Sequence, residues 1–409
     1  MVTQKITIEP VTRIEGHAKV TVHLKEDGTV EHAYFHVNEF RGFEKFCEGR
    51  MLFEMQQITP RICGICPVSH HLAAAKAADA ALGAPPPRPA NLLRELMHMG
   101  QIIQSHGMHF FELAGPDLIL GFDEDPATRN VVGLIQADPN LTVRAVQLRK
   151  FGQSIIAELG ERSIHPNFAI PGGVNRTLSI ASRDKILAQI DHEIETIQIG
   201  IKIIKNWVEA NMEDVNKFAV FPTGYTGLVS PENGLELYDG PIRMVGRDGK
   251  EWEKFYVKDY LDYINEHVEN WSYLKFPYYK KLGYPDGVYR VGPLGRCNAV
   301  EKIHTPLADA ELKIFKAINN GKPVENTLYY HYTRLIEALS DVEDAERILN
   351  DKEVTSLHIQ HHGRWNYEEG IGSSEAPRGT LFHHYKTDET GKLINVNLLI
   401  ATGQNNPCM

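Results

Sequence analysis

Cysteine is scarce in this chain: five in 409 residues, at Cys47, Cys63, Cys66, Cys297 and Cys408. An odd, scattered set argues against a disulfide framework and for a reducing compartment, so the expected location is the cytoplasm. Long apolar runs are missing as well. None reaches the roughly 18 residues that a membrane-spanning helix needs, and the opening segment MVTQKITIEPVTRIEGH lacks the apolar stretch of a secretory signal. Positive charge is in the minority, 43 Lys and Arg against 53 Asp and Glu, for a net charge of −10. Such a surface repels nucleic acid and anionic lipid, and neither is an expected partner. No repeat of fixed period and no low-complexity tract is present. What is there is a globular composition, 42% hydrophobic and 9% aromatic, which allows a sizeable core.

Patterning predicts β structure at the start, over Lys5–Ile8, His17–Leu24 and Val30–Val37, the last two joined through the turn pair Asp27-Gly28. Helical periodicity then dominates. An Ala-rich helix is expected over His71–Leu82, introduced by Pro67. A second runs over Asn91–Phe111, with Leu92, Leu96, Met99, Ile103, His106 and Phe110 on one stripe. A third covers Leu141–Leu159, stopped by Gly160, and a long one covers Asp184–Met212. A hairpin around Asp248-Gly249 lies in a β insertion near 213–277. Helices near Asp309–Asn319 and Asn326–Asn350 precede strands at Gly379–Tyr385 and Leu393–Ala401. The expected fold class is mainly α (α+β), a large central helical bundle with small β-hairpin or sheet elements at both ends. The chain reads as one unit, 1–409: an N-terminal β element and first helix (1–60), a helical body (61–350) and a C-terminal β element (351–409).

The most informative stretch is Pro60-Arg61-Ile62-Cys63-Gly64-Ile65-Cys66-Pro67-Val68-Ser69-His70-His71. Two thiols separated by two residues can point at one metal, and Pro67 suits the first turn of a helix. Cys63 and Cys66 then lie at a helix N-terminus, where free amides and the macrodipole favour thiolate; Arg61 beside them acts in the same sense. His70, one turn beyond Cys66, is close enough to ligate or to hydrogen-bond a sulfur. Several readings stay open on these residues alone. A zinc site needs two more ligands, and Cys297 and Cys408 are isolated. A thioredoxin-like redox pair expects a strand before it, whereas Gly49–Gln57 looks helical. Half of a thiolate site for a softer transition metal is the third, and a pair of inert buried thiols the fourth.

Two other constellations carry charge. In Glu375-Ala376-Pro377-Arg378-Gly379, Arg378 sits between a stiff residue and a small one, which suits a guanidinium held for an anion, although on these residues alone an Arg exposed at a turn is the favoured reading. In Thr12-Arg13-Ile14-Glu15-Gly16-His17, Glu15 beside Arg13 has the look of a surface ion pair worth less than about 1 kcal/mol.

Together, Thr12–His17, Arg41-Gly42-Phe43-Glu44, Arg61–Cys66 with His70, His165-Pro166 leading to Pro171-Gly172-Gly173, and Glu375–Gly379 resemble the large subunit of nickel–iron hydrogenases, in order and over essentially the whole chain. Arg41–Phe46, Lys275-Phe276-Pro277-Tyr278 and Gly283–Val291 are most similar to the methyl-viologen-reducing, non-deazaflavin-reducing branch of methanogenic archaea, with the soluble NAD-linked enzymes second. The resemblance implies reversible heterolytic cleavage of H₂ at a Ni-Fe centre with CO and cyanide on the iron. Cys63 would be a terminal nickel ligand and Cys66 would bridge the metals. His70 would hydrogen-bond a cysteine sulfur, Arg378 would lie over the open coordination region near one cyanide, and Thr402 would reach the other. Glu15 would pass protons, and Glu44 would ligate a structural magnesium (or iron).

Two departures stand out. Ser105-His106 has Ser where the family usually has Asp. The family's second cysteine pair is absent, because Asn405-Asn406-Pro407-Cys408-Met409 ends the sequence and Cys408 is not part of that pair. The resemblance therefore implies a short separate peptide carrying the missing Cys or selenocysteine ligands. A truncated or non-catalytic homologue serving as a structural subunit of a redox complex is the alternative. It also implies a small iron–sulfur subunit, since no cysteines remain here for clusters, and an electron-transfer adaptor leading to a heterodisulfide reductase.

Overall fold

The computed structural model describes residues 4–38, 41–361, 366 and 368–409. Three antiparallel strands open the chain: β1 (Gln4–Ile8), β2 (Lys19–Leu24) and β3 (Val30–His36). Short helical turns lead to α1 (Pro67–Leu82) and α2 (Arg88–Gly107), which continues as a π-helical stretch over Met108–Ala114. Next come α3 (Pro139–Gly160), α4 (Ile180–Leu187) and α5 (Ile190–Ala210). A four-stranded sheet follows, built from β4 (Gly224–Leu228), β5 (Ile242–Val245), β6 (Glu251–Phe255) and β7 (Tyr289–Arg290) in the order β7-β4-β5-β6. Within it only β7 runs parallel to its neighbour. Helices α6 (Gly292–Ala299), α7 (Pro306–Ala317) and α8 (Tyr330–Leu349) precede the last sheet, β8 (Glu369–Ala376), β9 (Gly379–Thr387) and β10 (Leu393–Leu399), antiparallel in that order. The fold is mainly α (α+β), as expected. No helix among the described residues is long and apolar enough to cross a membrane.

The expected stripe on α2 is buried throughout and meets α3, α5 and α8 in the main core, around Leu96, Ile103, Phe110, Phe151, Ile155, Ile197, Ile201, Leu335 and Leu339. Helices α2 and α3 cross with their backbones in contact: a Cβ on Gly152 would lie 2.5 Å from the Gly100 carbonyl oxygen. Three local readings change. The single helix expected over Asp184–Met212 is two, because Gln189 N–H tightens onto Ile186 O (3.1 Å) and ends the first, with no Gly or Pro to announce it. Gly160 is the last residue of α3 and not its stop; Glu161 takes the left-handed cap at φ +61°. The mid-chain β region reaches Arg290, beyond the expected 277.

Strand β8 departs from expectation, since Glu-Gly-Ile-Gly-Ser-Ser-Glu-Ala has little β propensity. Its glycines explain it. Helix α1, Ala-rich and buried on nearly every side, lies directly on β8. A Cβ on Gly370 would fall 2.0 Å from Ala77 O, and one on Gly372 2.3 Å from Ala73 O. Small residues on both elements let helix and strand approach at backbone distance, and this contact brings the start of α1 to the β8–β9 turn. Gly372→Ala forces them apart and is expected to cost on the order of 3 kcal/mol, read as a lowered denaturation midpoint of the purified chain.

Candidate metal centre

The start of α1 is assembled from three directions. A 3-10 turn, Thr59–Ile62, delivers the chain to Cys63 in extended conformation, and Cys66 is the N-cap residue of α1 with Pro67 behind it. From α2, the Gln101 and Gln104 side-chain amides both donate to Ile65 O, at 2.8 and 3.0 Å, and Gln101 Oε1 accepts from Val68 N–H at 3.2 Å. These two glutamines hold the loop between the cysteines. Nothing in the sequence singles them out, because both read there as ordinary helix residues. The segment 165–173 acts as a clamp: buried Arg94 pairs with Asp79 (2.6 Å) and donates to Ile170 O and Gly173 O, while Gly172 N–H donates to Asp79 Oδ1 at 2.7 Å.

Both thiols sit half-buried, and their environments drive them apart. Cys66 donates side-chain and backbone hydrogen bonds to Cys63, the backbone N–H at 3.2 Å from Sγ, and with the Ile65 amide this brings the Cys63 thiol down to about 7 against the opposing effect of burial. Cys66, having donated its proton and lost its water, is pushed well up, with the Arg378 charge pulling the other way. Of the two sulfurs, Cys63 is the one that ionises first. Arg61 plays no part: it is exposed and donates to Gln57 O. The other cysteines are ordinary. Burial raises the Cys47 and Cys408 thiols to about 11, and Cys297 further still. In the metal-free chain Cys63 is expected to react with iodoacetamide at pH 7.5 at least about ten times faster than Cys47, Cys297 or Cys408, as mapped by peptide mass spectrometry.

Arg378 occupies the two-residue turn between β8 and β9, half-buried, and its Nη1 is buried with no partner among the described residues. Behind it stands Arg334, fully buried, whose guanidinium is lowered to about 9 by burial and by the Arg378 charge. A surplus of positive charge with a free N–H next to the thiols suits an anionic group. Glu15 is exposed on this chain, yet its charge opposes ionisation of both thiols, which places it in their neighbourhood. Arg13 does not pair with it; Arg13 reaches Asp117 (2.9 Å) and Leu113 O. His70 is buried, and its Nδ1 meets His383 Nε2 at 3.1 Å; no hydrogen bond to a cysteine sulfur forms among the described residues.

The relatives decide the family. A component of the vhu F420-non-reducing hydrogenase from Methanocaldococcus jannaschii is 45% identical over 99% of this chain and 96% of its own length. This chain belongs to the nickel-dependent hydrogenase family. That family matches residues 41–143 directly, and a HoxL-like family matches residues 5–40. The beta subunit of an NAD-reducing hydrogenase from Cupriavidus necator is 41% identical over 100% of this chain and 86% of its own length. The solved structure of an NAD⁺-reducing nickel–iron hydrogenase in its H₂-reduced state superimposes with a TM-score of 0.95 at 40% identity, covering 99% of this chain and 90% of that one.

For a hydrogenase centre the residues present fit one half. Two thiol sulfurs, a buried guanidinium N–H without a partner and a carboxylate at the rim are grouped together. Among the described residues, however, no three His, Cys, Asp or Glu side chains converge to hold a metal, which also leaves zinc without its further ligands. Cys47 and Cys297 lie in apolar clusters, and Cys408 rests against Tyr289 O. Glu44 is set apart from the thiols. It accepts from Leu398 N–H at 2.8 Å, faces Lys275 Nζ at 3.9 Å, and lines a cavity of about 400 Å³ with Glu266, Arg41 and Asn406. Thr402 is exposed at the start of a 3-10 helix, next to Ala401, which packs on Ala73 and Ala376. Ser105 is buried with its hydroxyl unpartnered among the described residues.

Behind the site lies a buried ionic network that no sequence pattern reveals. Arg296 grips Glu337 with two bonds of 2.7 Å and Glu375 with one of 2.6 Å. His106 Nε2–H donates to Glu337 at 2.9 Å and its Nδ1 accepts from Arg334. Glu375 also accepts from Leu228 N–H and the Thr380 hydroxyl. The one signal available is Glu375 itself, which opens the motif that carries Arg378, but spacing alone cannot pair it with Arg296, 79 positions away.

Proposed function

We propose that this chain is the catalytic subunit of a hydrogenase that interconverts H₂ with protons and electrons. The observation that carries the reading is the pair of thiols at the head of α1, Cys66 N–H on Cys63 Sγ at 3.2 Å, beside Arg378, whose Nη1 is buried with no partner among the described residues. Cys63 would hold nickel, and Cys66 would lie between nickel and iron. A Ni-Fe centre bound there supplies the cleavage of the H–H bond. The chain supplies what surrounds it. Arg378 and Thr402 would offer donors to cyanide on the iron, which would also carry CO. The Arg378 guanidinium also covers the centre against water. Glu15, at the rim, takes up the released proton and passes it to solvent. Glu44 would hold magnesium (or iron), in exchange for its present contacts with Leu398 N–H and Lys275 Nζ.

A second pair of thiolates would have to come from outside these residues; a short peptide with Cys or selenocysteine is our reading, supported by the lack of any further cysteine near the site among the described residues. With no cysteines for an iron–sulfur relay, a small iron–sulfur subunit takes the electrons and, through an adaptor, a heterodisulfide reductase receives them. Five cysteines without a disulfide suit the cytoplasm. Infrared spectra and metal analysis of the purified assembly test the reading: nickel is expected together with CO and cyanide bands, with iron in excess of nickel because the partner's clusters add to it, and zinc or no metal overturns it. Native mass spectrometry is expected to show an additional small peptide; nickel bound without one overturns the split site.

A further inference from the structure

The catalytic reading leaves one buried chain of polar groups unused. His383 and Tyr385 lie two apart on β9, hence on one face, opposite Gly372 and Gly370 of β8. Those glycines leave the space through which α1 closes on the sheet. His70 Nδ1 meets His383 Nε2 at 3.1 Å, and His383 Nδ1 meets the Tyr385 hydroxyl at 2.5 Å. All three side chains are at most 2% exposed.

We propose that Tyr385 and His383 are positioning residues that lock His70 into the tautomer carrying its proton on Nε2. The inference rests on the reading that Cys63 and Cys66 hold the metal centre. The order of donors follows from acceptor strength. The Tyr385 hydroxyl has two polar neighbours, His383 Nδ1 at 2.5 Å and the hydroxyl of Thr59, whose own proton goes to Met55 O at 2.7 Å. An imidazole lone pair is the stronger acceptor of the two, and the short contact is the one to nitrogen. The phenol therefore donates to Nδ1, His383 carries its proton on Nε2, and Nε2–H donates to His70 Nδ1. The proton of His70 is left on Nε2, which has no partner among the described residues. The reverse order would turn the phenol proton from a nitrogen to the weaker oxygen acceptor in a buried setting, where a poorly satisfied donor is costly. Burial keeps both imidazoles neutral, lowering His70 to about 4 and His383 well below its ordinary value, so neither can satisfy the chain by carrying two protons. His70 is four residues after Cys66, and helical side chains lean toward the N-terminus. The locked N–H is thus held on the face and at the end of α1 where Cys66 lies, as an obligate donor to sulfur. With the opposite tautomer His70 would present a lone pair to a thiolate and repel it.

Neutron diffraction from D₂O-exchanged crystals of the purified assembly tests this directly. Deuterium is expected on Nε2 of His70 and of His383 and on the Tyr385 oxygen; deuterium on His70 Nδ1 overturns the lock. That result does not depend on metal content, so a preparation without nickel and iron would sink the hydrogenase reading and still decide the tautomer. In the loaded enzyme, Tyr385→Phe is expected to shift the infrared bands of the centre and to lower kcat about threefold to tenfold at unchanged KM for H₂ and unchanged metal content. Unaltered bands and kcat in that variant overturn the positioning role.

Discussion

Arg296→Met is expected to yield little folded protein. The change removes the one cation that faces both Glu337 and Glu375, each fully buried, and leaves two carboxylates without it in the interior. Breaking a buried pair in this way costs about 3–5 kcal/mol, a large part of the roughly 5–15 kcal/mol that holds a folded protein together. The pH dependence separates this from a packing defect. Burial alone would raise the Glu337 carboxyl, but the Arg296 charge and hydrogen bonds, with His106, bring it down to about 2 against an ordinary value of 4.5. The stabilisation this represents is present above about pH 4.5 and fades as the pH falls toward 2. Without Arg296 burial prevails and the carboxyl moves above its ordinary value. The variant therefore loses most at neutral pH and recovers part of the deficit as the solution is acidified toward pH 5. Denaturation midpoints of both proteins between pH 5 and 8 check this; a deficit that is constant across the range rules out the electrostatic explanation.

Cys66→Ser is expected to abolish hydrogen turnover, to less than about one-thousandth of the parent, while leaving α1 in place. Serine keeps the backbone N–H that reaches Cys63, and Cys66 contributes little to the core because it caps the helix at the half-buried rim. What it removes is the soft sulfur in the position proposed to lie between the metals, together with the thiol donor that brings Cys63 into the neutral range. Nickel content is expected to fall below about a tenth of the parent level, since ligand loss weakens metal binding and leaves a single thiolate to hold it. Circular dichroism and the denaturation midpoint are expected to be unchanged. Full metal content with full activity in this variant would overturn the proposed ligation.

Much of the site is legible without coordinates. The pair at 63 and 66, the proline behind it and the glutamate and arginine motifs are local signals, each a few residues long. The helix start that Pro67 predicts is where α1 begins. The element pattern is legible for the same reason: hydrophobic period is a local property, and every residue of the expected stripe on α2 is buried, although the helix is buried on nearly every other side too. Where local signals are weak, the reading falters. Strand β8 has no β-forming pattern and exists because α1 needs a surface without side chains. The break at Gln189 has no punctuation in the sequence. Adjacency alone credits Arg61 with ionising the thiols, whereas its side chain turns away to Gln57 O.

The partners of charged and polar groups belong to a different level. Sequence patterns show which residue types the chain carries and how they alternate, and that is sufficient for the family and for where most of the long helices lie, though not for their ends. They do not show that Arg296 is shared by carboxylates from α8 and β8, that Gln101 and Gln104 reach across to the cysteine loop, or that His70 meets His383 from 313 positions away. Hydrogen bonds of about 3 Å and buried ion pairs depend on distances set when distant segments pack. Those distances follow from how closely helix and sheet can approach, which here comes down to a few glycines and alanines whose spacing gives no hint of what they face.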